Sequence, residues 1–170
     1  MEWNLETVIV YDMFISKLCG ALSKAKINYA IVGGYAVALH GAIRGTVDID
    51  LIIENHRQTF IKVEKALKKI GLKALQPISA ENVWHNKKQL IEQKNMIAWN
   101  FYNPDNPLEQ VDIIINYELH LNAIVNIETS FGMIPVLNKK ELIKMKSQSN
   151  RQQDIIDIKE LNKLWVINQI

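Results

Sequence analysis

Hydrophobic and polar positions follow two different periods along this chain, and each change of period predicts a new element. Apolar residues recur at helical spacing over residues 5–25 and 57–70, and Gly71 stands where the second helix would end. Further helices are predicted over residues 35–41, 79–94, 139–146 and 152–166. Runs rich in β-branched residues predict strands over residues 29–32, 46–53, 73–75, 96–102, 109–115, 124–128 and 133–137. This order predicts an α/β fold, a mixed β-sheet with helices packed on it.

Two polar segments separate predicted elements. The segment "NPDNP", residues 103–107, is expected to turn the chain between two strands, because proline and asparagine favour turns. The segment "SQSN", residues 147–150, is expected to separate the last two helices. No repeat or linker interrupts the pattern. Residues 1–170 are therefore expected to form a single domain, with a core over about 28–137 and C-terminal helices over about 138–168.

Composition adds limits on the class of protein. Of 170 residues, 48% are hydrophobic and 22% are charged, as in soluble globular proteins, and a net charge of +2 neither requires nor excludes a polyanionic partner. The single cysteine, Cys19, excludes an internal disulfide and a zinc site built from several cysteines. The acidic start "MEWNLETVIVYD" is not laid out as a secretory signal, and no apolar run reaches the ~20 residues that span a bilayer. We therefore expect a cytoplasmic protein that makes no membrane contact.

The strand predicted over residues 46–53 carries two acids inside an apolar run, "VDIDLII". Side chains alternate across a strand, so Asp48 and Asp50 share one face while the apolar residues between and beside them take the other. Two like charges at this distance repel, and burying either one unpaired is costly. A divalent cation such as Mg²⁺ would offset that cost, because it prefers hard oxygen ligands. The alternative, and the commoner role of two acids at this spacing, is a solvent-facing pair.

A third acid stands in a similar context. Asp112 lies in "QVDIII", where Val111 and Ile113 alternate with it along another predicted strand. If this strand lies beside residues 46–53, three carboxylates converge on one site, the arrangement that two-metal phosphoryl transfer requires. Taken alone, Asp112 could instead end a strand or pair with a lysine.

Two glycines precede the aspartate strand. Gly33 and Gly34 end a short apolar strand and open a helix of about two turns. Backbone N–H groups at such a turn can bind phosphate oxygens, and glycine leaves them accessible. An isolated glycine pair is more often a plain strand-to-helix turn. Here the chain returns from the short helix directly into the aspartate strand, so the coupling of the two elements favours a phosphate site beside the carboxylates.

The segments "GGYAVALHGAIRGTVDIDL" and "VDIII" together resemble the minimal nucleotidyltransferase fold of the DNA polymerase beta superfamily. That pattern joins two small residues, a short helix, a strand with alternating acids and a third acid on a neighbouring strand. Within the superfamily, the chain is most similar to bacterial enzymes of the abortive-infection toxin type (AbiEii-like), which often end in a helix resembling "RQQDIIDIKEL". The resemblance covers roughly residues 28–165.

The resemblance implies a role for each motif residue. Gly33 and Gly34 would bind the phosphates of a nucleoside triphosphate. Asp48 and Asp50 would hold two Mg²⁺ ions, for which Mn²⁺ could substitute. Asp112 would hold one of these ions and would be the candidate base for the attacking hydroxyl, so all three acids are predicted catalytic and metal-binding residues. The acceptor hydroxyl would attack the α-phosphorus and release pyrophosphate.

Further residues are candidate nucleotide contacts. Arg44 and Thr46 approach the aspartates along the chain; Arg44 could neutralise phosphate charge or form a salt bridge to Asp48 or Asp50 that orders the loop. Tyr35 departs from the family pattern, because many relatives place a phosphate-binding serine in this loop.

Three C-terminal residues, Lys144, Arg151 and Asp154, resemble the lysine and aspartate that the toxin-type enzymes carry in this region. Arg151 and Asp154 are three residues apart and would share a helix face. Either they help to bind the phosphates or they form a surface ion pair.

The leading hypothesis is a metal-dependent nucleotidyltransferase that moves a nucleoside monophosphate from a nucleoside triphosphate to an acceptor hydroxyl. The acceptor would be tRNA or another RNA, a protein or a small molecule. The resemblance also suggests the toxin of a toxin–antitoxin or phage-defence system, with an antitoxin protein as partner. The alternative is a catalytically silent protein of the same fold that binds a nucleotide or a partner. The presence of all three acids argues against a decayed site.

Overall fold

The computed structural model describes the backbone of residues 5–149 and 151–167 and the side chains of residues 13–149 and 151–164. The strands in this part are β1 (Tyr29–Ile31), β2 (Asp48–Ile53), β3 (Lys73–Ala74), β4 (Ala98–Asn103), β5 (Asn106–Ile114), β6 (Ile124–Thr129) and β7 (Gly132–Leu137). The helices are α1 (Leu5–Lys24), α2 (Gly33–Leu39), α3 (Arg57–Lys69), α4 (Ala80–His85), α5 (Lys87–Lys94), α6 (Lys139–Ser149) and α7 (Gln152–Ile167). A 3-10 turn, Leu121–Ala123, precedes β6.

One mixed sheet contains all seven described strands, in the order β3-β4-β5-β2-β1-β7-β6. β2 runs parallel to β5 and β1 runs parallel to β7, while the other neighbours are antiparallel. β2 occupies the centre because its second half, Leu51–Ile53, is apolar on both faces and is buried on both. The predicted α/β class with a mixed sheet is confirmed.

The helices divide into two groups around the sheet. α1 packs with α3 and β5, and α3 packs with α4. α2 instead contacts β2, α6 and α7, so the short helix after Gly33 is held between the aspartate strand and the C-terminal helices. Within residues 5–149 and 151–167, no helix combines the length and apolar character that crossing a bilayer demands.

The helix predicted over residues 79–94 is wrong as one element. Ser79 does cap it, since its hydroxyl accepts a hydrogen bond from the Asn82 amide at 3.4 Å. Asn86, however, leaves the helical region (φ −103°, ψ 14°) and separates α4 from α5. Its side-chain amide donates to the Asn82 carbonyl at 3.0 Å, a local bond of the kind by which asparagine competes with helix continuation.

The "SQSN" segment does not break the chain where it was predicted to. α6 continues through Ser147 to Ser149. The serine hydroxyls donate to carbonyls three residues back, Ser147 to Lys144 at 2.7 Å and Ser149 to Lys146 at 3.2 Å, so they bond within the helix instead of ending it.

The "NPDNP" turn is shorter than predicted. β4 ends at Asn103 and β5 begins at Asn106, which leaves Pro104 and Asp105 as the turn and places Pro107 inside β5. The Asn103 side chain accepts a hydrogen bond from the Asp105 amide at 3.0 Å and so closes the turn locally.

Candidate active site

Three carboxylates meet where β2 and β5 run side by side. Asp50 is directly opposite Asp112 in the register of the two strands, and Asp48 lies two residues before Asp50 on the same face. Each of the three offers one carboxylate oxygen, and these oxygens lie within 4.8 Å of one another. The convergence predicted from the sequence is therefore present. We call these residues the aspartate triad.

The triad carries more negative charge than its surroundings neutralise. Burial, followed by repulsion from Asp48 and Asp112, raises the pKa of Asp50 to about 7, although Lys146 and Arg151 oppose the shift. Burial also raises the pKa of Asp112, against a hydrogen bond from the Asn100 side chain that lowers it. A cluster of hard oxygen ligands that lacks a counter-charge suits a divalent cation, so the residues present fit the metal that the fold implies.

Gly33 is required by the close packing of the turn against the triad. Its φ of +65° is a left-handed conformation that side chains disfavour. A Cβ at this position would lie 1.8 Å from Oδ2 of Asp50, which no rearrangement short of moving the carboxylate could relieve. The Val32 amide donates to the Asp50 carbonyl at 2.9 Å, which holds the start of this turn against β2.

Gly34 and Thr46 form the next contact along the same turn. A Cβ on Gly34 would lie 3.0 Å from the Thr46 Cβ, closer than the two residues could accommodate without a shift. The Thr46 hydroxyl donates to Oδ1 of Asp48 at 2.8 Å and orients that carboxylate. Tyr35, which replaces the frequent serine of the family pattern, is half-buried and packs against the core.

A second acidic cluster lies beside the first, where α6 meets α7. Asp154 and Asp157 are 1% and 2% exposed, and both contact Lys146, which is 5% exposed. The Lys146 Nζ donates to Asp154 Oδ1 at 2.9 Å and to Asp157 Oδ2 at 2.6 Å. Arg151 adds a bond from its Nε to Asp154 Oδ2 at 2.7 Å. We call Lys146, Asp154, Asp157 and the arginines that contact them the C-terminal ion cluster.

The charge balance of this cluster is the reverse of the triad's. Burial by itself would raise the pKa of Asp154, but hydrogen bonds from Arg151, Ser149 and Lys146 outweigh it and hold that pKa well below its ordinary value. Every oxygen-bearing group in the cluster thus has a cationic or hydroxyl partner.

Arg44 belongs to the C-terminal ion cluster, and of its two sequence-based alternatives the salt bridge to Asp48 or Asp50 is not formed. Its Nε lies 3.2 Å from Oδ1 of Asp157, at ion-pair distance but without hydrogen-bond geometry, and one of its terminal nitrogens donates to the Gly45 carbonyl. Asp157 is already buried beside Lys146, so it offers the guanidinium a carboxylate that is fixed in place. The loop before β2 is thereby tied to α7.

Lys144 is not brought to the site. Its Nζ lies 3.5 Å from Glu141 Oε2 on the exposed face of α6, and it is absent from the lining of the cleft described below. Lys146 points there instead. The sequence held a signal for this, because Lys146 follows the apolar Leu142 by one helical turn and so shares its buried face.

A cleft of about 1400 Å³ opens over the aspartate triad. Gly33, Gly34, Arg44, Thr46, Arg151 and Asp154 all line it, together with the triad and Lys146. The opposite wall contains residues to which the sequence pattern gave no role. Its polar members include Asn100 on β4, which is paired with Asp112, and Gln76, which hydrogen-bonds to Asn100. Only the pairing of β4 with β5 brings them to the site.

Comparison with known protein families gives a match over nearly the whole chain. A family model described as "Nucleotidyltransferase of unknown function (DUF6036)" matches residues 6–169. The chain belongs to this family. A search of curated proteins found no match to this nucleotidyltransferase-family chain. The broader superfamily expected from the sequence is thereby confirmed, while the narrower similarity to abortive-infection toxins stays a prediction.

Solved structures share the fold of this family member. The lincosamide antibiotic adenylyltransferase LnuA, bound to lincomycin, matches with a TM-score of 0.63 and 17% identity over 89% of this chain and 96% of that one. ANT(2'')-Ia in complex with adenylyl-2''-tobramycin matches with a TM-score of 0.58 and 13% identity over 91% and 92%. An antigenic nucleotidyltransferase-like protein from Paracoccidioides brasiliensis matches with a TM-score of 0.57 and 19% identity over 89% and 75%.

Proposed function

We propose that this chain is a metal-dependent nucleotidyltransferase that moves a nucleoside monophosphate from a nucleoside triphosphate to an acceptor hydroxyl. The observation that carries the proposal is the placement of the Gly33 turn directly against the carboxylate of Asp50. Through this contact, a turn that would bind phosphate and a triad that would bind cations meet at the same point of the cleft. Nucleotidyl transfer needs both at once, because the triphosphate and its counter-charges must meet at the α-phosphorus.

The reaction would form a bond from the acceptor oxygen to the α-phosphorus and break the bond from that phosphorus to the pyrophosphate oxygen. Gly33 and Gly34 would present backbone N–H groups to the phosphates. Asp112 would take the proton of the acceptor hydroxyl. Asn100, which donates to Asp112, would hold that carboxylate in position.

Divalent cations held by Asp48, Asp50 and Asp112, two Mg²⁺ ions or Mn²⁺ in their place, would supply charge neutralisation at the phosphates. Thr46 keeps Asp48 turned toward this position by its hydrogen bond. The triad therefore needs little rearrangement when a cation arrives, which is the positioning that a phosphoryl transfer site depends on.

The two arginines of the C-terminal ion cluster would bind the outer phosphates. Arg44 and Arg151 line the cleft, and Lys146 lies between the two buried aspartates. Asp154 would act by holding Arg151 in place. Lys146, which donates to both buried aspartates, would act by fixing these carboxylates, and Lys144 is left out because it does not line the cleft.

Acceptor and biological setting extend the proposal further. LnuA is described as a lincosamide antibiotic adenylyltransferase and ANT(2'')-Ia was solved with an adenylylated antibiotic, so proteins with this fold act on hydroxyl-bearing small molecules. The toxin setting, an antitoxin partner, an RNA or protein acceptor and a cytoplasmic location rest on the sequence alone. A catalytically silent protein is disfavoured, since the triad is complete and converges.

The test is a transfer assay with each labelled nucleoside triphosphate, Mg²⁺ and panels of RNA, proteins and small hydroxyl compounds. The wild-type chain is expected to label one acceptor class. A variant with both Asp48→Asn and Asp50→Asn should lose at least about a hundredfold in rate, as loss of charge stabilisation does at such sites. Asp105→Asn, at the exposed β4–β5 turn, is the matched control and should keep full activity. Equal labelling by wild type and the double variant would refute the proposal, as would no labelling of any class.

A further inference from the structure

The cleft has two walls of different chemistry. The wall formed by the Gly33 turn, the loop before β2, the last turns of α6 and the residue just before α7 carries Arg44, Lys146 and Arg151. Across the triad lies a second wall, built from β4, β5 and the segments beside them. We call it the acceptor wall, and its members used here are Ile78, Leu90, Ile97, Ala98, Asn100 and Ile114.

The acceptor wall is nearly free of charge. Among described residues that line the cleft over positions 76–100 and 114–117, Lys94 is the only charged one. Ile97 is 56% exposed and faces the cleft without a covering side chain, whereas the other apolar members are half-buried. Apolar surface kept open beside a polar reaction centre is typical of a site for a small organic ligand.

The order of strands fixes which reactant meets this wall. Gly33 lies beside β2, and β5 and β4 follow β2 in the sheet on the side away from β1. Phosphates bound at the Gly33 turn would therefore lie on the β1 side of the triad. In-line transfer requires the attacking oxygen to approach the α-phosphorus from the opposite side. Asp112 and Asn100 stand on that second side, directly opposite each other in the β4–β5 register.

We propose that the acceptor wall binds a small hydroxyl-bearing acceptor that has an apolar portion and at most one charge. This inference rests on the proposed function and specifies its acceptor. A polynucleotide would need several lysines or arginines along its path, and a polycationic sugar would need carboxylates; the wall offers neither set. The cleft volume of about 1400 Å³ exceeds that of a typical single-ligand pocket, which leaves room for a small acceptor beside the nucleotide.

A fixed pair of amides supplies the polar part of the wall. The Gln76 side chain donates from Nε2 to Asn100 Oδ1 at 2.5 Å and accepts from the Asn100 backbone amide at 3.1 Å. Asn100 is thus held at two points, and its own amide group is directed to Asp112. An acceptor hydroxyl that reaches Asp112 would meet this oriented amide, while the rest of the molecule lies on Ile97 and Ile114.

The first experiment follows the isoleucine methyl groups of the whole chain by NMR. The chain is first given Mg²⁺ with a non-hydrolysable nucleoside triphosphate, then octyl β-glucoside or lincomycin, and in separate samples tobramycin or tRNA. We expect the methyl signals of Ile78, Ile97 and Ile114 to move only with octyl β-glucoside or lincomycin. Movement of these signals with tobramycin or tRNA would overturn the inference, and so would their failure to move with both amphipathic compounds.

The nucleotide step of this experiment tests the proposed function separately. The backbone amide signals of Gly33 and Gly34, recorded on the same samples, should move when the nucleotide and Mg²⁺ are added. If they do not move while the Ile97 signal responds to octyl β-glucoside, the proposed function fails and the binding surface stands. If the nucleotide binds and the Ile97 signal stays unmoved by both amphipathic compounds, the inference fails and the proposed function stands.

The second experiment uses a matched pair of variants. Ile97→Lys introduces a charge on the acceptor wall at an exposed position, so the variant should fold normally. It should weaken octyl β-glucoside binding by about tenfold. Met133→Lys makes the same kind of change on β7, where the side chain is 60% exposed and far along the sheet, and it should leave binding unchanged. Equal binding by the two variants would count against the acceptor wall as the site.

Discussion

The aspartate triad and the C-terminal ion cluster lie side by side, yet they differ in whether their carboxylates have cationic partners. The C-terminal ion cluster buries Asp154 and Asp157 with a lysine and two arginines in contact. The aspartate triad brings three carboxylates together, and no cation of the described residues forms an ion pair with them. Lys146 and Arg151 attract Asp50 only from a distance. The chain satisfies one cluster internally and leaves the other to be satisfied by a ligand.

The difference separates acids whose charge the chain neutralises by itself from acids whose charge it leaves to a ligand. Buried acids that are paired with cations depend on them, because removal of the cation would leave a buried charge without a partner. Acids that repel one another lower the stability of the metal-free protein, and binding of a cation raises that stability again. Predictions about the two clusters therefore have opposite signs.

The largest expected effect comes from removing the lysine of the C-terminal ion cluster. Lys146→Met would leave Asp154 and Asp157 buried without their lysine, and we expect a loss of about 3–5 kcal/mol in the free energy of unfolding. Urea denaturation measures it. Lys144→Met, two residues away and exposed, is the control and should change stability by less than about 0.5 kcal/mol. If the two variants unfolded at the same urea concentration, the cluster would have no structural role.

The next effect disturbs the triad without changing any charge. Gly33→Ala adds a Cβ into the Asp50 carboxylate and a left-handed backbone cost, so we expect a loss of about 2–4 kcal/mol and of the Mg²⁺ response in thermal unfolding. Gly71→Ala has the same kind of backbone cost, at φ +95°, with no atom within 4 Å, and should lose about 1 kcal/mol. A Gly33→Ala variant no less stable than Gly71→Ala would show that the turn and the carboxylate are not in contact.

The smallest effect has the opposite sign. Asp50→Asn should stabilise the metal-free chain by on the order of 1–2 kcal/mol near pH 8, because it removes a buried charge repelled by its neighbours. Mg²⁺ should then raise the melting temperature of the wild type and not of the variant. In the paired cluster, Asp154→Asn should instead destabilise the chain. Matching signs for these two variants would break the contrast between the clusters.

The pH dependence of that difference follows from the raised pKa of Asp50. Its pKa is about 7 in the folded state against 3.8 in the unfolded chain, so the folded state holds the extra proton between these values and loses relative stability as pH rises toward 7. The advantage of Asp50→Asn should therefore be smaller at about pH 5 than at about pH 8. Burial lowers the pKa of His40, but this residue is the same in both proteins and its contribution cancels in the comparison. An advantage that shrinks toward pH 8 would contradict the assignment.

Several parts of the fold could be predicted from local pattern. The two-residue period of "VDIDLII" set Asp48 and Asp50 on one face, and the structure keeps them there. The glycine pair likewise marked a turn that no other residue fits, because Gly33 lies against Asp50. The wrong predictions concern places where side-chain hydrogen bonds to the backbone decide whether a helix continues. Asn86 ends α4, whereas the serines continue α6, and the hydrophobic pattern does not distinguish these outcomes.

The C-terminal charges show where prediction from sequence ended. For Arg44 the sequence left open a phosphate contact or a salt bridge to the nearby Asp48 or Asp50, but the side chain lies by Asp157, which is 113 positions away. The sequence analysis named Lys144 as a candidate contact, whereas Lys146 is the lysine that shares the buried face of α6 with Leu142. Which acid pairs with a given cation depends on how α2, α6 and α7 pack against one another. The spacing of residues along the sequence does not predict such long-range packing.

The sequence by itself determined the class of fold, the shared face of the first two acids and the glycine turn before them, because periodicity and backbone sterics act over a few residues. Tertiary structure alone decided that Asp112 stands opposite Asp50, that Asn100 and Gln76 face the triad, and that Lys146 is committed to Asp154 and Asp157. Those pairings depend on strand order and helix packing across the whole chain, and they determine which carboxylates remain free for a cation.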